Sequence, residues 1–250
     1  MKPSALLSLL LIGACTPAPV QWNDVVTSGA PGEPIEFPRE VRPPFIDGCE
    51  ASLRVATSGG SAFAAWWRTR ADSSTALMVS RSMHGGPWSE PVVADSTDRS
   101  PRGCGRHAPA IAADARSGYV HVAYFLEPPG GPGIFFAHSM DSAATFHAPV
   151  PIVFGKNPSR VSIAASGERV VVAYEDPNSV QPFIGMALSR TMGHLYENRL
   201  RATSPNGRAR QPVVRLEGDS IRLWWSEYSA NPSVSATRTM YRSGRWEVGR

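Results

Sequence analysis

The sequence is short of lysine, with only Lys2 and Lys156, has few cysteines, and lacks any apolar run long enough to cross a membrane. Each shortage removes a class of function. The apolar run Ala5 to Ile12 falls well short of the roughly 20 residues that a spanning helix needs. The net charge is a modest +4, nearly all of the basic residues are arginine, and no basic run is interleaved with aromatics. Nucleic-acid binding therefore has no support, and genomic base composition is a sufficient reason for the arginine bias. The six histidines show no paired spacing, and His107, His121 and His138 belong to different strands or loops, so neither a metal site nor a cofactor is expected.

Proline (23) and glycine (22) are plentiful without low complexity, and 42% of the 250 residues are hydrophobic. That is ample for one core and suits a single all-β domain of many short strands joined by turns. The stretch that organises the chain is Ser139-Met140-Asp141-Ser142-Ala143-Ala144-Thr145-Phe146, a frame of Ser-x-Asp-x-small-x-Thr-aromatic. It returns at Ser189, Thr191, Gly193 and Tyr196, then at Thr239, Tyr241, Ser243 and Trp246, with a copy one residue shorter at Ser82, His84, Gly86 and Trp88. The frames start 57, 50 and 50 residues apart. A period of that size points to a propeller or another repeat array.

At this frame the chain resembles the sialidase-like β-propellers, whose bacterial neuraminidase repeat, or Asp box, usually reads Ser-x-Asp-x-Gly-x-Thr-Trp. Only the copy at Ser139 keeps the Asp, and Ala143 stands where Gly is usual. The resemblance covers residues 49–250 as an architecture. It implies an all-β propeller of four-stranded antiparallel blades, in which Ser139, Asp141, Thr145 and Phe146 form a structural turn away from the catalytic face.

The hydrophobic pattern agrees with this count of strands. Repeat two offers Ala108 to Ala113, Tyr119 to Leu126, Gly133 to His138 and Phe146 to Val153. Repeats one and three match it, and repeat four is expected to use Pro212 to Leu216, Ser220 to Trp225, Ser233 to Arg238 and Arg245 to Val248. The second strands align as Ala65-Trp66-Trp67, Val122-Ala123-Tyr124, Val172-Ala173-Tyr174 and Leu223-Trp224-Trp225. Nearly continuous apolar strands of this kind are buried on both faces between stacked sheets. About four blades are expected; a fifth partial blade from the leader, or closure by a partner chain, is the alternative.

Residues 1–14 have the form of a signal peptide: Lys2, an apolar core, then Gly13-Ala14 before Cys15. Ile12-Gly13-Ala14-Cys15 resembles the bacterial lipobox, which implies lipidation of Cys15. An ordinary secretory signal with an incidental Cys is the other reading. Thr16 after the Cys implies, by the same resemblance, the outer membrane of a Gram-negative cell, and a triacylated Cys suffices as the membrane anchor. Residues 15–48 form a Pro-rich tether, although Gln21 to Val26 resembles the outer strands of later repeats and is expected to pack on the domain. Cys49 and Cys104 remain as an even pair at nearly the same point of repeats one and two, either a disulfide between neighbouring blades or two free buried thiols.

In a propeller, the connections between blades and the loops after second strands share one face. The segments entering first strands carry Arg106 and His107, Arg160, and Arg208 with Arg210, while those leaving second strands carry Glu127, Glu175 with Asp176, and Glu227 with Tyr228. Both sets converge on one mouth. Guanidinium groups suit a carboxylate ligand, and paired carboxyls are what glycosidic acid/base chemistry requires. The arginines are thus ligand-binding candidates, and Glu127, Glu175, Asp176, Glu227 and Tyr228 are catalytic candidates; the plain alternative is that they pair with each other as ion pairs. Sialidases use an Arg triad, a Tyr nucleophile with a Glu, and an Asp. The nearest match to their Arg-Ile-Pro motif is Arg106-His107-Ala108-Pro109, and neighbouring Glu227 and Tyr228 point to opposite faces of a strand. The expected function is an anchored module that binds an acidic glycan or an envelope protein without turnover. An exo-sialidase and a purely structural envelope protein are the alternatives.

Overall fold

The computed structural model describes residues 18–28, 41–114, 117–204, 208–228 and 237–247. The leader contributes two short strands, β1 (Val20–Trp22) and β2 (Val26–Thr27). Blade one follows as β3 (Arg54–Ser58), β4 (Ser61–Thr69), β5 (Thr75–Ser82) and β6 (Val92–Asp95). Blade two is β7 (Ala110–Ala113), β8 (Val120–Leu126), β9 (Gly133–Ser139) and β10 (Val150–Phe154). Blade three is β11 (Val161–Ser166), β12 (Arg169–Glu175), β13 (Ile184–Ser189) and β14 (Asn198–Arg201). The last blade holds β15 (Ala209–Glu217), β16 (Ser220–Tyr228) and β17 (Thr237–Trp246). Each of the first three sheets runs antiparallel in chain order, as tight turns between consecutive strands dictate.

The last blade departs from the sequence expectation. Its outer strand is β1, with Val20 opposite Trp246 and Trp22 opposite Gly244, and β2 continues along the same edge opposite Tyr241 and Met240. Residues Arg245 to Trp246, expected to open a fourth strand, belong instead to the end of the third, as does the frame at Thr239. The reason is steric and energetic. β17 pairs with β16 without a break from Thr237 to Arg245, so no turn interrupts it, and the free edge that results is covered by the leader. The expectation that Gln21 to Val26 packs on the domain thus takes the form of strand addition across the sequence ends. Cys15 and the segment Ser233 to Ala236 lie outside the described residues.

Packing follows the two-faced burial of the second strands. Between blades one and two lie Trp67, Leu77, Val79, Val122, Tyr124 and Leu126. Ile134, Phe136, Ile163, Val172 and Tyr174 fill the next interface, and Val171, Ile184, Met186, Leu223, Trp225 and Trp246 the third, where Val20 of β1 joins them. Trp66 points opposite to Trp67, into a smaller cluster on the other face of blade one, where Val41 and Ile46 of the leader pack. Burying side chains of this size stabilises by about 1.5–3 kcal/mol each.

The frame at Ser139 is a tight turn between β9 and β10. Ser139 Oγ accepts the Ala143 N–H at 2.8 Å, while the Asp141 carboxylate accepts the Ala144 and Thr145 N–H groups and the Thr145 hydroxyl at 3.0, 2.9 and 2.7 Å. Burial would raise the Asp141 carboxyl, but these donors and Ser139 together hold it down to about 2. At Ser189 the same serine geometry recurs, with Ser189 Oγ accepting from Gly193 and with Thr191 Oγ1 accepting the Leu195 N–H in place of the missing carboxylate. On this same face, beneath the turns, burial keeps His121 neutral down to about 3 and His138 down to about 4.

Candidate ligand site at the channel mouth

The first strand of each blade begins at one end of the central channel. Leu53, Pro109, Val161 and Pro212 therefore stand around a cavity of about 960 Å³, to which the leader adds Arg42 and the turn before β3 adds Glu50. Its walls are apolar where the strands alternate inward, through Val55, Ile111, Ile163 and Val214. Its polar groups are mostly cationic: Arg42, Arg54, Arg106, Arg160 and Arg215 line it together with His107, against a single carboxylate, Glu50. Glu50 is already paired with Arg42 at 3.2 Å.

The arginines differ in what holds them. Arg106 is 2% exposed; its Nη2 donates to both Asp98 oxygens at 2.6 Å and to the Ser100 carbonyl at 3.1 Å, while Nη1 lies 3.5 Å from Glu127. Asp98, itself fully buried, also accepts the Thr75 N–H and hydroxyl at 2.8 and 3.1 Å. Arg106 is thus a structural tie between blades one and two, and its expected role as a ligand contact is corrected: a guanidinium so committed cannot turn to a ligand without leaving Asp98 buried and unpaired. Arg160 is different. Its side chain is 41% exposed and it approaches Glu175 at 3.6 Å, leaving donors facing the cavity. Arg54 is fixed by the Leu53 carbonyl at 2.6 Å, and Arg215 stacks over the Trp224 ring at 5.5 Å. His107 lines the cavity half-buried; burial, then the nearby Arg160, push its imidazole down from its ordinary 6.5.

The carboxyl candidates are occupied elsewhere. Glu127 receives Arg102 Nε at 2.5 Å and Nη2 at 3.0 Å, which together with Arg106 outweigh burial and lower its carboxyl. Glu175 is buried and accepts the Gln211 N–H at 2.8 Å, where β15 bulges and Gln211 takes a φ of 56°. Asp176 accepts the Asn178 N–H at 2.8 Å and shapes a turn. Glu227 accepts from Trp225 Nε1 at 3.3 Å, and the Tyr228 N–H donates to the Arg208 carbonyl at 3.1 Å. None of these five side chains lines the cavity; Glu127 and Glu175 pair with arginines, as in the pairing alternative, while Asp176 and Glu227 accept from Asn178 and Trp225. Arg208 and Arg210 are exposed at the start of β15 and also stand outside the lining.

Cys49 and Cys104 are joined as a disulfide with Cα atoms 5.3 Å apart, on the same side as the mouth. The bond ties the end of the leader to the turn before blade two. Sequence reasoning missed Arg54, Arg215 and Asp98. The first two were legible as lone arginines between apolar neighbours, Leu53 with Val55 and Val214 with Leu216, on strands expected to line the channel.

No protein-family description matches the chain, and no curated protein matches it. Solved structures do. The Hadza microbial sialidase Hz136 covers 76% of this chain and 43% of its own, with a TM-score of 0.53 at 18% identity. An α-L-arabinanase of Penicillium chrysogenum, solved in complex with arabinobiose, covers 78% of this chain and 63% of its own, with a TM-score of 0.54 at 16% identity. The chain therefore spans less than two thirds of either protein. At such identities the likeness is one of architecture, and the molecule is an all-β propeller of four four-stranded sheets with the fold seen in a sialidase and an arabinanase.

Proposed function

We propose that this protein is a lipid-anchored envelope module whose propeller binds an acidic carbohydrate at the channel mouth without turning it over. The observation that carries the reading is the excess of cavity-facing arginines over one paired glutamate, set against an apolar wall. A sugar ring presents apolar C–H faces and, when acidic, a carboxylate or sulfate that the guanidinium fork can hold by two parallel bonds. Absence of turnover is supported by the commitment of Glu127 and Glu175 to neighbouring donors, since glycosidic cleavage needs two carboxyl groups flanking the scissile bond. Lipidation at Cys15 and placement at the outer membrane belong to the same proposal. Mass spectrometry of the protein from membranes tests it: a triacyl adduct on Cys15 is expected, and an unmodified thiol removes the anchor.

Binding to an array of acidic and neutral glycans tests the site. Retention of uronate, sulfated or sialylated glycans by the protein, and loss of that signal in Arg160→Ala, is the expected outcome. Equal binding by the variant overturns the site. Release of fluorophore from an aryl sialoside, absent in Glu175→Gln, overturns the reading without turnover in favour of a hydrolase.

A further inference from the structure

We infer that the propeller sits on the bilayer that holds Cys15 through the face opposite the channel mouth, so that the mouth opens away from the membrane. The inference rests on the proposed lipidation of Cys15 and adds an orientation to it. Strand direction sets the geometry. β15 runs from the mouth at Ala209 to the far face at Glu217, β16 returns from Ser220, and β17 descends again from Thr237 to Trp246. β1 is antiparallel to β17, with Val20 opposite Trp246, and β2 lies opposite Tyr241 and Met240, so the leader enters the blade at the far face and climbs toward the mouth. Backbone bonds fix that point of entry. The Trp246 N–H donates at 2.8 Å to the carbonyl of Asp219, in the turn between β15 and β16, and the Glu247 N–H donates to the Pro19 carbonyl at 3.0 Å.

Reach then limits the choices. Four residue steps separate Cys15 from Pro19, and a chain of that length spans at most about 14 Å whatever its conformation. The nine residues of β15 put the mouth about 25–30 Å from the far face. A lipid on Cys15 therefore keeps the far face close to the headgroups and the mouth beyond their reach. The surface of the far face suits the contact. Met140 and Leu195 stand in the corresponding turns of blades two and three, 47% and 60% exposed. Both turns are tied to the neighbouring turn of their own blade, since the Ser142 N–H donates to the Gly118 carbonyl at 3.1 Å and the Met192 N–H to the Glu168 carbonyl at 2.8 Å. Apolar side chains that enter the interface add to an acyl anchor, and contacts on blades two and three with the anchor on blade four spread the load over three blades. The outer edge of blade four is the other surface within reach. It also exposes Val25 and Val26, but beside the polar Gln21, Asn23 and Asp24, and it gathers every contact onto one blade.

The test uses the chain expressed with its leader, purified from membranes and reconstituted into vesicles of phosphatidylethanolamine and phosphatidylglycerol that carry a spin label on the headgroup. Leu195→Cys places a thiol on the far face, Val180→Cys one in the fully exposed loop between β12 and β13 at the mouth, and Asp24→Cys one on the outer edge of blade four. Each is labelled with a small fluorophore. The label replacing Leu195 should be quenched severalfold more than the labels replacing Val180 and Asp24, and Met140→Cys should repeat the far-face result from a second turn. All these positions are exposed, so the variants should fold as the parent does. The parent, with Cys15 acylated and Cys49 joined to Cys104, should take no label. Strongest quenching at position 180 or 24, or equal quenching at all positions, overturns the orientation while the anchor stands. A parent chain that takes label at Cys15, or that leaves membranes in carbonate, removes the anchor itself and the inference with it.

Discussion

At the scale of single residues, two arginines only one cavity apart have opposite duties, and burial decides between them. Arg106 is closed into a network with Asp98 and Glu127. Its replacement by Ala strands a buried carboxylate, so Arg106→Ala is expected to destabilise the fold by about 3–5 kcal/mol in denaturant titration. Arg160→Ala removes a charge that is 41% exposed and loosely paired at 3.6 Å. Its stability should stay within about 0.5 kcal/mol of the parent, while affinity for an acidic glycan falls about tenfold or more through the lost charge-assisted bonds. A destabilised Arg160→Ala, or a fully stable Arg106→Ala, contradicts this division. Asp141 supplies the pH dependence. Its carboxyl sits at about 2 in the folded chain against an ordinary 3.8, so the folded state favours the ionised form. The stabilisation is complete above about pH 4 and is lost as pH falls toward 2. Denaturation midpoints between pH 5 and 2 should therefore decline less steeply in Asp141→Asn than in the parent.

At the scale of elements, the blades are held in place by close approaches that leave no room for a side chain. A Cβ at Gly193 would lie 2.3 Å from Phe136 Cζ across the interface of blades two and three, and Gly193 has a φ of 87°. Gly193→Ala should cost about 1–3 kcal/mol through overpacking and strain. Gly244 is the counterpart at the leader, since a Cβ there would meet Trp22 and Val20 at 2.6 and 2.8 Å. Gly244→Val should push β1 from the edge of β17, which amide hydrogen exchange would report as lost protection at Gln21 and Asn23, both of whose N–H groups face β17 or its loop partners. Unchanged protection there would mean that β1 does not depend on this contact. The frame that marks the repeats is also an element-scale device. At Ser139 and Ser189 the serine closes a turn by accepting the N–H four residues on, whereas the Thr239 copy has no turn to close because β17 runs through it. Spacing alone could not separate these cases.

At the scale of the whole molecule, the leader and the disulfide act on the same problem, the joining of sequence-distant blades. Cys49 and Cys104 are 55 residues apart, and closing a loop of that length restricts the unfolded chain by about 2–4 kcal/mol. Reduction, or Cys49→Ser with Cys104→Ser, should lower the melting temperature by several degrees while leaving the blade sheets intact by circular dichroism. A melting temperature unmoved by reductant would mean that the cross-link constrains nothing the packing does not already fix. The channel is likewise a property of the assembly. Its lining draws on β3, β7, β11 and β15, the first strand of every blade, on Arg42 of the leader and on Glu50 of the turn before β3.

The sequence by itself determined the all-β class and the repeat into about four blades, because alternation, turn residues and a period near 50 are local or periodic properties. It also held the clue to β1, through the likeness of Gln21 to Val26 to later outer strands. Tertiary structure decided which of the mouth arginines is free. Arg106 stands four residues before β7 and Arg160 directly before β11, and it is Asp98, fully buried and aimed at Arg106, that makes the first a structural tie while Arg160 stays 41% exposed. It decided as well that the outer strand of the last blade comes from the start of the chain. Contacts between residues far apart in sequence depend on how blades stack, and no local pattern encodes the stacking distance.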